Sequence, residues 1–459
     1  MPLIKSISGI RGTLKGDNDS SLTPIVIKNY TSSFIHHLKT KNKNKLISIA
    51  VGRDGRISGK KISKIICEVS INMGIKIIDL GYSTTPSVEV FVKQEKLDGG
   101  IMISASHNGI EWNALKLFNS NGEFISKEDF HHINSILEKK SFKYEAINPF
   151  GKVATNSNSI EQHIELILSH NLVKINKIIS SKLKVVVDGI NSTGGIAVPR
   201  LLEILNVEVI KLNCEPNGNF VHDPEPLERN LVELSKSVIK NNADLGIAVD
   251  PDVDRLAFID EKGKYFGEEY TLVACADYVL NYNSGPTVSN LSSTKALKEL
   301  TKMKGCNYFY SAVGEVNVVE MMKSKNAVIG GEGNGGIIFP SIHYGRDALI
   351  GIALFLSHLA EKNCSVSNLR NQYPSYHMAK KKIDINNVSF EEILKKLKKE
   401  FSDCEIIEID GLKINFKNSS WVHLRKSNTE EIIRVYSEAD SIIKANEIAD
   451  NIINLVNNF

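Results

Sequence analysis

Short apolar runs alternate along the chain with segments whose apolar residues recur at helical spacing. The run LISIAVG (46–52) has the length of a strand. After it, Ile62, Ile65, Ile66 and Val69 fall on one side of a helix that Ser58 is placed to cap. KIIDLG (76–81) follows as a strand, and TTPSVEVFVKQ (84–94) as a helix with Thr85 as N-cap and Pro86 at its first position. GGIMIS (99–104) is the next strand. Apolar strands separated by amphipathic helices predict parallel sheets of the doubly wound kind.

The rhythm restarts twice without a residue-level repeat. KLKVVVDG (182–189) opens a second unit, which runs through VEVIKLN, the helical LERNLVELSKSVIKNN and ADLGIAVDPDVDR. A third unit follows FIDEKGKYFG and holds the helix YTLVACADYVLN, the strand PTVSNLS, NYFYSAVGE and AVIGGEGNGG. From about Tyr373 the pattern changes to YHMAKKKIDI, a charged helix over Phe390–Phe401, several strands and a last helix, which reads as a separate α+β domain. The expected divisions are 1–150, 151–259, 260–372 and 373–459.

Composition agrees with several cores: 459 residues exceed one ordinary core, and 42% hydrophobic with 24% charged residues is a globular balance. A net charge of +3 gives no ground for expecting a nucleic-acid partner, although a local basic pocket stays open. The run KTKNKNK (39–45) reads as a solvated loop. Six scattered cysteines without a C-x-x-C pair predict neither a disulfide framework nor a zinc site. There is no signal-like apolar segment near Met1 and no apolar run approaching ~18–20 residues. A cytoplasmic chain with no membrane partner is expected.

Chemistry in open α/β sheets gathers at the carboxyl ends of strands. Ser106 stands just past such an end, with His107 beside it. Sequence neighbours usually point apart and no G-x-S-x-G elbow is present, so a hydrolase dyad is not expected and Ser106 needs an activator from elsewhere. DPDVDR supplies one, because Asp250, Asp252 and Asp254 at alternate positions can converge on a divalent cation. An EF-hand is disfavoured, since Arg255 occupies the position that needs glycine and the flanks read as strands. Oxygen ligands of this kind suit Mg²⁺. Arg11 lies between glycines in SGIRGT, and Arg53 and Arg56 stand at a strand-to-helix junction, where anions are favoured. Glu332 and Asn334 in GGEGNGG could grip hydroxyls, because neither a dinucleotide nor a Walker pattern fits the loop. RKSNTEEIIR gathers donors suited to phosphate.

Taken together, SGIRGT, VGRDGRISG, TTP, SASHNG, WNALK, DPDVDR, SAVGE, GEGNGG and RKSNTEEIIR resemble, in order and over essentially the whole length, the α-D-phosphohexomutase family. The resemblance implies a heart-shaped molecule: three similar doubly wound α/β domains and a C-terminal α+β domain related to the TATA-binding protein. It implies an isomerase that interconverts hexose 6-phosphate and hexose 1-phosphate. Ser106 would carry a phosphoryl group and, with Asp250, Asp252 and Asp254, hold Mg²⁺. Arg11, Lys116 and His107 would be catalytic. Glu332, Asn334, Arg255, Arg425, Ser427, Asn428, Thr429 and Arg434 would bind substrate, and a hexose 1,6-bisphosphate would be intermediate and activator. A monomer or a homodimer would result.

Some positions depart from the family pattern. Ser104 replaces Thr, Gly109 replaces Pro and is expected to loosen the serine loop, and Glu431 replaces Pro. Asn334 replaces Ser, and Gly336 stands where His is frequent. The loop variants are most similar to a bacterial branch whose members act on glucosamine or mannose phosphates, with glucosamine 6-phosphate the first expectation. Phosphoglucomutase or phosphomannomutase action is the alternative. Two readings from other classes are a catalytically silent sugar-phosphate sensor and a metal-dependent phosphatase.

Overall fold

The computed structural model describes residues 3–42, 46–139, 151–384, 389–427 and 432–458. Four sheets follow one another along the chain. The first has seven strands, in the order Ile4–Ser6, Gly9–Thr13, Trp112–Phe118, Gly99–Ile103, Ser48–Arg53, Lys76–Tyr82 and Lys152–Thr155. Its last four strands pair in parallel, whereas the first four are joined antiparallel. The second sheet has four strands, with Leu245–Val249 parallel to Lys184–Asp188 and antiparallel to Leu256–Asp260. The third also has four, with Ile329–Glu332 parallel to Thr287–Asn290 and antiparallel to Gly336–Ile338. The expected all-parallel sheets are thus mixed. The added strands return through short connections beside functional loops, and a short connection permits only antiparallel pairing.

The C-terminal unit is a five-stranded antiparallel sheet covered by the helices Phe390–Glu400 and Ile442–Asn457, as expected for an α+β domain. Its core, including Leu397, Ile414, Val435 and Ile452, is separate from the others. The cores of the second and third units are instead continuous. Phe258 of the strand Leu256–Asp260 stacks on Phe355 of the helix Ala348–Lys362, with ring centroids 3.8 Å apart. The first sheet extends beyond the division expected at 150, since Lys152–Thr155 pairs with Lys76–Asp79.

Helix starts follow local chemistry with instructive shifts. Thr84, not Thr85, caps the helix Thr85–Gln94 by accepting from Ser87 N–H. This leaves the Thr85 hydroxyl free for another partner. Ser58 precedes the helix Gly59–Asn72 but makes no side-chain cap; its hydroxyl accepts from Asn113 at 2.8 Å. Lys39 and Lys41 close the helix Pro24–Lys41 instead of lying in a loop, and the end of that run, 43–45, lies outside the described residues. Among the described residues no helix is long and apolar enough to cross a membrane.

Because Phe355 packs against both Phe258 and Phe266, it fastens the helix Ala348–Lys362 to the second sheet. Phe355→Ala should cost about 3–5 kcal/mol. Chemical denaturation followed by circular dichroism checks this, and an unchanged midpoint would contradict the shared core.

Candidate active site

The strand Gly99–Ile103 delivers the Ser106 loop to the carboxyl edge of the first sheet. Ser106 has φ +49°, a left-handed conformation that costs a residue with a Cβ roughly 1–2 kcal/mol. The loop is therefore held from several sides. Ser106 N–H donates to Ser104 Oγ at 2.9 Å, which explains why a hydroxyl is needed at 104. The buried Arg56 donates from Nη2 to the carbonyls of Ser106 (2.8 Å) and Asn108 (2.5 Å), and its Nη1 pairs with Asp54. Arg56 is thus a clamp, not a ligand for anions, and Arg53 lies over the Tyr82 ring, 3.9 Å from its centroid. The Gly109 carbonyl accepts from Trp112 N–H.

Facing it, the strand Leu245–Val249 runs into Asp250, Asp252 and Asp254, all fully buried, with ligand atoms within 4.8 Å of one another. Val253 sits at φ +65°, uncommon for a β-branched residue. Ser192 and Thr193 fix this turn through the Pro251 carbonyl (2.6 and 2.9 Å), Thr85 N–H donates to the Asp252 carbonyl (2.9 Å), and Ala348 N–H donates to that of Val253 (3.1 Å).

The oxygens of the three carboxylates divide cleanly. Asp250 Oδ1 accepts from the N–H groups of Asp254 and Arg255, and Oδ2 accepts from Ser106 Oγ at 2.6 Å. Asp252 Oδ2 accepts from Thr85 Oγ1 and Lys116 Nζ, both at 2.5 Å. Asp254 Oδ2 accepts from Lys116 Nζ at 3.1 Å and Arg346 Nη2 at 2.9 Å. Asp252 Oδ1 and Asp254 Oδ1 are buried without a hydrogen-bond partner. A buried unpaired carboxylate oxygen is costly, so these two atoms mark where a cation belongs, and an all-oxygen set fits Mg²⁺.

Cations surround the aspartates. Burial pulls the Lys116 ammonium down, but Asp252 and Asp254 outweigh it and the net shift is upward. Burial likewise opposes ionisation of Asp254, yet Arg346, Lys116 and Arg255 hold it well below the usual carboxylate range. Asp250 is pushed up by burial and by its two acidic neighbours. Burial, then Arg255, lowers Arg11 to about 10, and Arg11 Nη1 donates to Asn108 Oδ1 at 2.6 Å. Burial, Arg255 and Arg11 drive His107 well below its ordinary value. Its Nδ1 is 3.4 Å from Ser106 Oγ and its Nε2 3.6 Å from Glu225, which also pairs with Arg255.

The third and fourth units reach this centre through shared partners. Glu332 accepts at Oε1 from Asn290 Nδ2 (2.9 Å) and Gly314 N–H (3.0 Å), and at Oε2 from Arg346 Nη1 (3.1 Å). Asn334 Oδ1 accepts from Gly336 N–H at 3.2 Å, shaping its own loop. Arg425 and Arg434 stand opposite each other on neighbouring antiparallel strands, a like-charge pairing that favours an anion between them. Arg425 Nε is buried without a hydrogen-bond partner. Ser427 follows on the same strand run, and Asn428 and Thr429 lie outside the described residues, as does Glu431. His423, two residues before Arg425, meets Ser292 Oγ at 2.8 Å and so docks this sheet beside Asn290.

Family models cover nearly all of this architecture. The phosphoglucomutase/phosphomannomutase α/β/α domains I, II and III match residues 4–144, 161–263 and 267–376, and its C-terminal domain matches 363–455. The chain belongs to the phosphoglucomutase/phosphomannomutase family, within the α-D-phosphohexomutases. It is 32% identical to a phosphoglucomutase/phosphomannomutase of Thermococcus kodakarensis, over 95% of each chain. It is also 32% identical to a phosphoglucosamine/phosphogalactosamine mutase of Sulfurisphaera tokodaii, over 97% of this chain and 96% of that one. A crystal structure of a phosphoglucomutase/phosphomannomutase family protein from Burkholderia thailandensis superposes with a TM-score of 0.84 at 23% identity, covering 99% of this chain and 97% of that one.

Within this phosphohexomutase the motif residues Ser106, Arg11, Lys116, His107, Arg255 and the three aspartates converge, and Glu332 joins them through Arg346. Thr85 and Arg346 were not anticipated. The signal for Thr85 was the doubled threonine before proline, where one hydroxyl caps the helix and the other is spare. Arg346 carried no periodic signal; Gly336 makes room for it, since a Cβ there would lie 2.3 Å from Arg346 Cδ. Arg346→Ala should leave Asp254, Glu315 and Glu332 buried without their shared cation and cost about 3–5 kcal/mol. A calorimetric scan should show a marked fall in the thermal midpoint; an unchanged midpoint would remove Arg346 from this role.

Proposed function

We propose that this isomerase interconverts hexose 6-phosphate and hexose 1-phosphate through phosphorylated Ser106 and a bound hexose 1,6-bisphosphate, with glucosamine phosphate as the first substrate. The observation that carries this reading is Ser106 Oγ, 2.6 Å from Asp250 in a triad that leaves two buried oxygens unpaired. Asp250, Asp252 and Asp254 would hold Mg²⁺, which when bound neutralises charge on phosphoryl oxygens.

Phosphoryl transfer demands positioning and charge stabilisation above all. In the first half-reaction the P–Oγ bond of phospho-Ser106 breaks while a bond forms from phosphorus to the sugar hydroxyl oxygen. The electron pair stays on Ser106 Oγ. Lys116 and Arg11, both cationic at pH 7, face the charge that moves through the loop. The hydroxyl proton ends on Ser106 Oγ as that oxygen leaves phosphorus, while His107, kept neutral by burial, Arg255 and Arg11, shapes the loop beside it. Arg255, Glu332 and Asn334 orient the sugar, and Arg425, Ser427 and Arg434, with Asn428 and Thr429, grip the phosphate that does not react. After the bisphosphate turns end for end, the same steps in reverse return a phosphoryl group to Ser106.

The Sulfurisphaera relative's name supports an amino sugar, and the Thermococcus relative's name at equal identity supports glucose or mannose phosphate as the second reading. A silent sensor would have no use for the unpaired aspartate oxygens, and a phosphatase none for a second phosphate grip.

Intact-mass measurement should find one phosphoryl group on a fraction of the purified protein, absent from Ser106→Ala, whose isomerisation should fall to background. Undiminished turnover by that variant would sink the phosphoserine. Parallel assays on glucosamine, N-acetylglucosamine, mannose and glucose phosphates, each primed with its bisphosphate, should rank glucosamine first; a leading rate on mannose or glucose phosphate would decide for the second reading.

A further inference from the structure

A second group of ligating side chains is buried outside the reaction centre, where elements from three parts of the chain meet. His163 comes from the helix Ser159–Ser169, Ser87 and Glu89 from the helix Thr85–Gln94, and His343 and Asp347 from the approach to the helix Ala348–Lys362. All five are at most 2% exposed. Ligand atoms of His163, His343 and Asp347 lie within 4.8 Å of one another.

The orientation of the two imidazoles is the informative feature. Nε2 of His163 and Nε2 of His343 approach the same atom, Asp347 Oδ2, at 3.0 and 3.3 Å. Their other ring nitrogens face away, His163 Nδ1 to Ser87 Oγ at 3.1 Å and His343 Nδ1 to Glu89 Oε2 at 3.2 Å. Asp347 Oδ1 is fixed separately by the N–H groups of Leu349 and Ile350. Yet the His343 Nδ1–Glu89 contact is an ion-pair approach without hydrogen-bond geometry, and Glu89 Oε1 is buried with no partner of its own. If both Nε2 atoms carry protons toward Asp347, a neutral His343 presents a bare Nδ1 to a carboxylate, acceptor against acceptor. A second proton on His343, which burial opposes but Asp347 and Glu89 favour, is one way to resolve this and a bound cation is the other. A cation reverses the tautomers. Both Nε2 lone pairs and Asp347 Oδ2 then bind the ion, and each Nδ1–H donates outward, to Ser87 and to Glu89. Two carboxylates balance the double charge. This is the carboxylate–histidine–metal arrangement, with imidazoles oriented by outer partners. Gly345 belongs to it, since a Cβ there would lie 1.9 Å from Glu89 Oε2.

We propose that His163, His343 and Asp347 hold a divalent transition-metal ion of the zinc class, with Ser87 and Glu89 orienting the two imidazoles. A two-nitrogen, one-oxygen set suits zinc, whereas the all-oxygen aspartate triad suits magnesium. No cysteine takes part, so the scattered cysteines that argued against a zinc site do not bear on this one. The ion fastens the helix Ser159–Ser169 to the residue after Arg346, and its outer partners Ser87 and Glu89 draw in the helix that carries Thr85; Thr85 and Arg346 both hold the aspartate triad.

The test uses the full chain, stripped with EDTA and then titrated with Co²⁺ and Zn²⁺ in excess Mg²⁺. One tight equivalent per chain is expected, with visible Co²⁺ absorption that Zn²⁺ displaces and a rise in thermal midpoint on adding Zn²⁺. His163→Gln and His343→Gln should lose that equivalent, Glu89→Gln should weaken it about 10–100-fold, and Asp252→Asn should retain it. Folded wild-type protein that takes up no tight Co²⁺ or Zn²⁺ would overturn the proposal and leave His343 as an imidazolium between two carboxylates. Retention of the equivalent by both histidine variants would overturn it equally. Should those variants fail to fold, the wild-type titration decides.

Discussion

Three carboxylates buried within 4.8 Å of one another are the constraint on which the rest of the molecule depends. Unpaired, such a group would stay neutral or push the loop apart, because desolvation and mutual repulsion both oppose ionisation. Lys116 supplies one ammonium to Asp252 and Asp254, and Arg346 supplies a guanidinium to Asp254. These two cations come from the first and third sheets and meet on the second. The centre therefore exists only when three units are assembled, which gives a physical reason for the continuous core behind it. What the cations leave uncovered is as informative as what they cover: one oxygen on each of two aspartates points to a single missing cation.

The serine and aspartate loops, which face each other, each hold a strained residue, Ser106 and Val253. Strain of this kind persists only where the surroundings over-determine the conformation. Arg56 and Ser104 do so for the serine loop, and Ser192, Thr193, Thr85 and Ala348 for the aspartate loop. Both loops begin at carboxyl ends of buried strands, so the sheets aim the strain and side chains from neighbouring units lock it.

The strand-and-helix rhythm was legible because burial writes a period into the sequence, and the reacting residues were legible because their motifs are local. Pairing direction was not: GGIMIS reads as a strand, but nothing in that run states that Trp112–Phe118 lies antiparallel beside it. Thr84 and Thr85 show the limit at one residue, since a shift of a single position decides which hydroxyl caps the helix and which reaches Asp252. Arg346 shows the limit over distance, for its meaning comes from Asp254, Glu315 and Glu332, which lie far apart in the chain. Arg56 illustrates the opposite error. An arginine at a strand-to-helix junction suggests an anion, yet here its two terminal nitrogens are spent on two carbonyls and Asp54. The His163–Asp347–His343 group leaves only the four-residue spacing of His343 and Asp347 in the sequence, because His163 is brought to them by packing alone.

The central claim, that Lys116 and Arg346 leave one oxygen each on Asp252 and Asp254 for a divalent cation beside Ser106, is tested most directly by anomalous diffraction from crystals with Mn²⁺ in place of Mg²⁺. A peak bridging Asp252 Oδ1 and Asp254 Oδ1, within coordination distance of Asp250 or of the group on Ser106, is the expected result. A peak away from the triad, or a Lys116 ammonium displaced into that position with no ion bound, would contradict it.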